Sequence, residues 1–301
     1  MSSIICLGDI MIECITRLPS LPLANKTIIL DSVSKDIGGP AYNIFWYLSK
    51  FGLKAKLTGA YGGNDRYFFK KTFLADQLDE SGLIRVKGHS DSLFTILVGK
   101  NYHSFYLRSR LPGDIEGKIR KQCGKPDYLI LTGSRHVLIR KAFLSIADNL
   151  DETTVIFNPS YAIYEYKDLE LNQLLKNSDF IIFNEQEAKQ AIRILKIKNI
   201  KEMTNFISNP IIVTLGRKGL KIYHKNKIYD IESFARKAVN PIGAGDAFVA
   251  GFLHEIIGKR PITNSARFGA TLAAYVVESE QTRVFVPKKK IYEQLNIHVA
   301  G

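Results

Sequence analysis

An aspartate set directly behind three small residues carries the clearest chemistry in this chain. The segment reads Asn240-Pro241-Ile242-Gly243-Ala244-Gly245-Asp246-Ala247-Phe248-Val249-Ala250-Gly251-Phe252. Small residues at 243–245 let a backbone come close to a ligand. Behind them Phe248, Phe252 and Ile256 recur at helical spacing, which predicts a turn at a helix N-terminus, where unpaired N–H groups and the positive dipole end attract anions. Asp246 then falls in the first helical turn. A carboxylate beside an anion site suits transfer of a phosphoryl group to a hydroxyl: it accepts the hydroxyl proton while the N–H groups stabilise charge on the group in flight. The same residues also read as a helix that starts after glycines, with Asp246 as its cap. A bare G-x-G-D is too short to decide between them.

Three further segments have chemistry of their own. Gly38-Gly39-Pro40-Ala41-Tyr42-Asn43 places a glycine pair before a helical pattern, with Asn43 able to donate to and accept from a polyhydroxylated ligand. Its plainer reading is a helix entry with Asn as a local cap. Asn184-Glu185-Gln186-Glu187 follows a predicted strand, where oxygen ligands can hold Mg²⁺ or its waters beside a nucleotide. An acidic first turn complementing the helix dipole explains it equally well. Val213-Thr214-Leu215-Gly216-Arg217-Lys218-Gly219-Leu220 puts a glycine-rich turn with two cations after another strand, or is simply a turn.

Several chemistries are absent. No G-x-x-x-x-G-K-[ST] occurs, and no G-x-G-x-x-G follows a strand, which argues against a P-loop and against a dinucleotide oxidoreductase. His254-Glu255 begins an H-E-x-x pattern, but Gly258 stands where a second His is needed. The three cysteines, Cys6, Cys14 and Cys123, form no C-x-x-C pair; buried free thiols are expected rather than a disulfide framework or a zinc ribbon.

The elements that must position these residues alternate in type. Ile4–Leu7, Ala55–Thr58, Tyr128–Thr132, Thr154–Phe157, Phe180–Phe183 and Ile211–Thr214 are predicted strands. Asp65–Leu78, Val137–Asn149, Glu185–Leu195 and Lys201–Ile207 are predicted helices, with Phe68, Phe69, Phe73, Leu74 and Leu78 as a core stripe on the first. This alternation predicts an α/β fold around a mainly parallel sheet. Two strand-rich insertions break it. Cys14–Lys35 contains Thr27-Ile28-Ile29-Leu30, and Leu93–Val98 with His103–Leu107 reads as a hairpin about Gly99-Lys100-Asn101. Together they predict a small sheet that serves as a lid.

Composition sets the outer bounds. The chain has 301 residues, 46% hydrophobic and 24% charged, enough for one large domain. The start, Met1 to Asp9, reads as a first strand and not a signal peptide, and no apolar run approaches the roughly 18–20 residues needed to cross a bilayer. A cytoplasmic protein with no membrane partner is expected. The net charge of +13 fits solvated helix faces and a field that draws in anionic substrates. Basic residues are not interleaved with aromatics as on a single-strand platform, so no nucleic-acid partner is expected.

In order and spacing the four segments resemble the ribokinase (PfkB) family of sugar and nucleoside kinases, from Gly8-Asp9 to Val276-Val277-Glu278. The resemblance implies a ribokinase-like three-layer α/β/α sandwich: one catalytic domain over 1–301, with a β-lid from about 13–37 and 91–107. It implies ATP and Mg²⁺ as cofactors. Asp246 matches the general base, Gly243, Ala244 and Gly245 the anion hole, and Glu13, Gly38, Gly39 and Asn43 substrate-binding positions. Asn184, Thr214, Gly216 and Gly219, with Gly243 and Gly245, match nucleotide positions, and Asn184 with Glu187 the pair that organises Mg²⁺ through water.

Two positions depart from the family pattern. Glu13 stands where Asp is usual, keeping the charge that grips vicinal hydroxyls but reaching one methylene further. Asn240 stands where an Asp commonly helps hold an activating monovalent cation, which puts K⁺ dependence in doubt. The pattern Gly269 to Thr282, with its Val-Val-Glu, is similar to archaeal nucleoside kinases. The expected reaction is transfer of the γ-phosphoryl of ATP to the primary hydroxyl of an adenosine-, inosine- or cytidine-like nucleoside. Phe94, Phe105 and Tyr106 of the lid would stack on the base or pack in the core. A sugar kinase for ribose, fructose or a related sugar is the alternative within the class, and a non-catalytic nucleoside- or sugar-binding protein the alternative outside it. The lid allows a monomer or a homodimer.

Overall fold

The structure is a computed structural model that describes residues 2–17, 29, 34–76, 78–90, 93–98, 102–107, 114–148, 150, 152–235 and 237–296. Its first half contains β1 (Ile4–Leu7), β2 (Met11–Arg17), β3 (Ser34–Gly38), α1 (Pro40–Lys50), β4 (Ala55–Gly62), α2 (Arg66–Asp76), β5 (Leu83–Val86), β6 (Leu93–Val98), β7 (Tyr102–Leu107) and α3 (Ile115–Cys123). There follow β8 (Tyr128–Thr132), α4 (Val137–Ala147), β9 (Thr154–Asn158), α5 (Asp168–Lys176), β10 (Phe180–Asn184), α6 (Glu185–Leu195) and α7 (Ile200–Met203). The chain continues with β11 (Ile211–Thr214), β12 (Leu220–His224), β13 (Lys227–Ile231), α8 (Ala244–Ile257), α9 (Ile262–Val277) and α10 (Lys288–Gln294).

Nine strands form one sheet in the order β13-β12-β11-β10-β9-β8-β1-β4-β5. The pairs from β11 through β5 are parallel; β12 and β13 add an antiparallel edge. The strands are apolar on both faces because both are covered, and their residues alternate between two cores. Ile4, Cys6, Ile130, Ile156, Ile182 and Ile212 point into the core shared with α1, α8 and α9. Ile5, Leu7, Leu129, Leu131, Phe157 and Phe183 point into the core shared with α4, α5 and α6. Each fully buried Leu, Ile or Phe contributes roughly 1.5–3 kcal/mol to folding. Three layers, helix on sheet on helix, follow from this alternation. All three cysteines are free thiols, Cys6 and Cys123 buried in these cores.

Chain order reverses at β1, which has β4 and β5 on one side and β8 to β11 on the other. Such a switch point opens a crevice above the C-terminal strand ends. Asp9, just past β1, is 5% exposed and pins that edge: its carboxylate accepts from Ser134 Oγ at 2.5 Å, Arg135 N–H at 3.1 Å and Tyr161 O–H at 2.9 Å.

A second sheet of four strands, ordered β3-β2-β6-β7, stands apart from the first. The two insertions expected from sequence therefore meet: β2 pairs antiparallel with β3 and parallel with β6. Apart from the exposed Ile29, Thr27-Ile28-Ile29-Leu30 lies outside the described residues, as do Gly99-Lys100-Asn101 and the side chains of Phe94, Phe105 and Tyr106. In α2, Phe69 and Phe73 are buried, but Leu74 is 76% exposed. The expected stripe was one residue too wide: Leu74 lies seven residues from the exposed Tyr67, on the outward face. Among the described residues no helix is long and apolar enough to cross a membrane.

Candidate active site

The Gly243–Asp246 segment forms a tight turn into α8. Gly243 is its N-cap with φ of 81°, and a Cβ there would lie 2.1 Å from the Thr282 carbonyl oxygen, so only glycine fits. Gly245 faces open space instead; nothing lies within 4 Å of where its Cβ would be. Among the described residues, no backbone partner exists for the N–H groups of Gly243, Gly245 and Asp246, the usual orphan donors of a helix start. Asp246 lies in the first turn of α8, on a cleft wall. Burial pushes its carboxyl up to about 6, against the opposing pull of the Asn43 hydrogen bond and the Arg283 cation.

Asn43 reaches this carboxylate from α1, whose N-cap Gly39 has φ of 96° and whose first helical residue is Pro40. Asn43 Nδ2 donates to Asp246 Oδ2 at 2.7 Å. Its Oδ1 accepts from Arg283 Nη1 at 2.8 Å, so toward a ligand Asn43 keeps one amide N–H. Glu13, on β2, is 6% exposed and folds back on the glycine pair. Its Oε1 accepts from the Gly39 N–H at 3.1 Å, and its carboxylate fills the space a Cβ at Gly38 would need. The longer acid thus depends on glycine at 38. Burial raises Glu13 to about 7, Arg283 and the Gly39 N–H opposing.

Across the cleft, Asn184 and Glu187 form the capping box of α6. Asn184 Oδ1 accepts from the N–H groups of Gln186 and Glu187, both at 2.9 Å. Glu187 accepts from Asn184 N–H at 2.9 Å and from Asn184 Nδ2 at 2.5 Å. Burial pushes Glu187 up to about 7, with the Asp246 charge adding to the rise. The helix-capping reading and the cleft-facing reading hold together, since both residues also line the cavity that contains Asp246. Among the described residues no group of three or more His, Cys, Asp or Glu could hold a metal. The oxygens of Glu187 are committed to Asn184, with spare lone pairs, which fits a hard cation held through its waters rather than directly.

Two cavities of about 370 Å³ each meet here. One holds Glu13, Asn43, Asn184, Glu187 and Asp246. The other runs between β11–β12 and α9, lined by Thr214, Gly216, Gly219, Ala244, Ala273 and Val277. Thr214, Pro241, Gly245 and Phe248 belong to both. Asn240 lies just behind the turn: its Nδ2 donates to the Glu280 carbonyl at 3.0 Å and its Oδ1 accepts from the Ile242 N–H at 3.1 Å. Sequence reading missed Arg283 and the gathering role of Asp9. The signal for Arg283 was a single cation in the apolar run Thr282 to Val286, and its partners lie at the other end of the chain.

The pattern of the pfkB family carbohydrate kinases matches residues 1–289. A nucleoside kinase of Methanocaldococcus jannaschii is 26% identical, over 99% of this chain and 98% of the relative. A 5-dehydro-2-deoxygluconokinase of Mesomycoplasma hyopneumoniae is 24% identical, over 86% of this chain and 83% of the relative. The crystal structure of the Methanocaldococcus enzyme, an archaeal member of the ribokinase family, superposes with a TM-score of 0.84 at 24% identity, covering 99% of both chains. A Burkholderia thailandensis nucleoside kinase in complex with inosine superposes with a TM-score of 0.84 at 18% identity, covering 98% of both. The fold is ribokinase-like, and the match from residue 1 to residue 289 places the chain in the pfkB family of carbohydrate kinases, phosphotransferases whose acceptor is a hydroxyl group.

Proposed function

We propose that this kinase transfers the γ-phosphoryl group of ATP to the primary hydroxyl of a nucleoside. The observation that carries this reading is the junction of the two cavities at Gly245, with Asp246 on one side and the Thr214–Gly219 turn on the other. The nucleotide takes the β11–β12 side, its base among Ala273, Val277 and Gly219. The acceptor takes the other side, its vicinal hydroxyls donating to Glu13 and its primary hydroxyl facing Asp246. As the acceptor oxygen bonds to the γ-phosphorus, the bond to the bridging oxygen breaks and ADP departs. Asp246 takes the hydroxyl proton, and the N–H groups of Gly243 and Gly245 stabilise the phosphoryl oxygens, Ala244 N–H being turned to the Pro241 carbonyl at 3.3 Å. Mg²⁺, when bound, neutralises phosphate charge; Asn184 and Glu187 would hold it through water. The four-stranded sheet that carries Glu13 acts as the lid of the acceptor cavity.

A nucleoside is favoured over a free sugar by the full-length likeness to nucleoside kinases, one of them a structure in complex with inosine. The similarity to a 5-dehydro-2-deoxygluconokinase supports a sugar or sugar acid as the second reading. Panels of nucleosides and sugars with ATP and Mg²⁺ separate the two, each run against Asp246→Asn. Nucleosides are expected to drive ADP release at least a hundredfold faster in the native chain than in the variant, the low end of what a positioned base contributes. Equal rates would end the general-base assignment; consumption with sugars alone would end the nucleoside one.

The reaction proceeds without a monovalent cation. Asn240 carries no charge to offer a cation, and its amide N–H is spent on the Glu280 carbonyl. Rates in potassium chloride and in tetramethylammonium chloride at matched ionic strength are expected to agree. A several-fold gain with potassium would refute this.

A further inference from the structure

We propose that Arg283 is a positioning residue for phosphoryl transfer, acting through Asn43 to fix how Asp246 meets the acceptor hydroxyl. The inference rests on the general-base reading of Asp246 and goes beyond it, because Arg283 does not line the cavity. Its side chain is 8% exposed. Nη1 donates to the Ile37 carbonyl at 2.8 Å and to Asn43 Oδ1 at 2.8 Å, and Nη2 is paired with Asp36. The guanidinium lies over the rings of Tyr42, at 4.8 Å, and Trp46, at 5.9 Å. A planar group held by three oxygens and two rings has little freedom left.

The consequence falls on the Asn43 amide. Arg283 has only donors, and an ionised Asp246 has only acceptors. Asn43 sits between them, so one orientation alone satisfies both: Oδ1 toward Arg283, Nδ2 toward Asp246. With Arg283 gone the amide is free to turn over and set Oδ1 against the carboxylate, which favours the protonated acid. Around Asp246 the charged and titratable groups are Glu13 on β2, Glu187 on α6, Tyr47 on α1 and Arg283 itself. Arg283 is the cation among them, facing acids that otherwise crowd one another. The relay also ties β3 of the small sheet, through Asp36, to the base on α8.

The test is the pH profile of kcat/KM for the native chain and for Arg283→Met, Arg283→Lys, Asn43→Leu and the double variant Arg283→Met/Asn43→Leu. Removing a charge-assisted bond that favours the ionised base raises its pKa, so the acid limb moves to higher pH. Arg283→Met is expected to lose about tenfold at pH 6 and under about threefold at pH 9, a loss that general structural damage would not confine to acid pH. Arg283→Lys keeps the cation but not the planar fork that holds the Ile37 carbonyl and Asn43 Oδ1 together; it shifts the limb the same way by less, and it carries the test if Arg283→Met does not fold. In the double variant, Arg283→Met adds little to the loss caused by Asn43→Leu. Equal loss at every pH, or full additivity in the double variant, overturns the proposal while leaving the base intact. Native activity in Asp246→Asn would instead overturn the base reading, and the proposal with it.

Discussion

Three carboxylates, Glu13, Glu187 and Asp246, line one cavity, and burial raises all of them, to about 7, 7 and 6. A raised acid binds protons that the unfolded chain has already released. Between the unfolded pKa near 4 and the folded value, stability therefore falls as pH rises. Asp246→Asn resembles the protonated acid at all pH. It is expected to melt higher than the native chain at pH 8, by on the order of 2 kcal/mol, and to match it near pH 4, as thermal unfolding at the two pH values will measure. Much of this constellation was legible from residue types. The Gly243–Asp246 turn, the Asn184–Glu187 pair and the Thr214–Gly219 turn each announced themselves through small or acidic residues beside a predicted strand or helix. Arg283 did not, because one cation in an apolar stretch has no periodicity to betray it. Its meaning comes only from Asp36 and Asn43, brought to it by the fold.

At the scale of elements, α8 has two duties, presenting the turn and anchoring it. The anchor is Glu255, 3% exposed, whose carboxylate accepts from Tyr292 O–H on α10 at 2.6 Å and sits 2.9 Å from His254 Nδ1. Tyr292→Phe removes one donor from a buried acid. A loss of about 1.5–3 kcal/mol in unfolding free energy is expected in urea titrations, with kcat little changed. The pair that sequence reading set aside as an incomplete metal motif is thus a packing joint. Strands bounded by sharp turn signals, such as β1, β8 and β11, were readable to the residue. The helix expected at Lys201–Ile207 reduces to α7, Ile200–Met203, because Asn199 caps it early and Ser208-Asn209-Pro210 draws the chain toward β11. The edge strand β13 went unread, its residues mostly exposed and lacking an apolar face.

For the molecule as a whole, a net charge of +13 acts on an anionic co-substrate from a distance. Arg217 lines the cavity between β11–β12 and α9, and Lys218 follows it in the same turn. KM for ATP is expected to rise several-fold between about 0.02 M and about 0.3 M salt, as screening shortens from roughly 20 Å to about 6 Å, while KM for the uncharged acceptor stays nearly constant. Initial rates at fixed saturating acceptor will show it. The sheet order that gathers every strand end used by the site was foreseeable as a class from the βα alternation. Which strands neighbour which was not, since parallel pairing leaves no local mark in the chain.

The shared wall of the two cavities has a practical corollary. Chambers joined at Gly245 and Phe248 invite a tethered inhibitor: one compound with a nucleoside at each end of an oligophosphate bridge. Once its adenosine end has docked, the second end is held at millimolar local concentration. Calorimetry should find such a dinucleoside binding at least a hundredfold more tightly than ATP alone, with an optimum bridge length that reads out, phosphate by phosphate, the gap between the chambers.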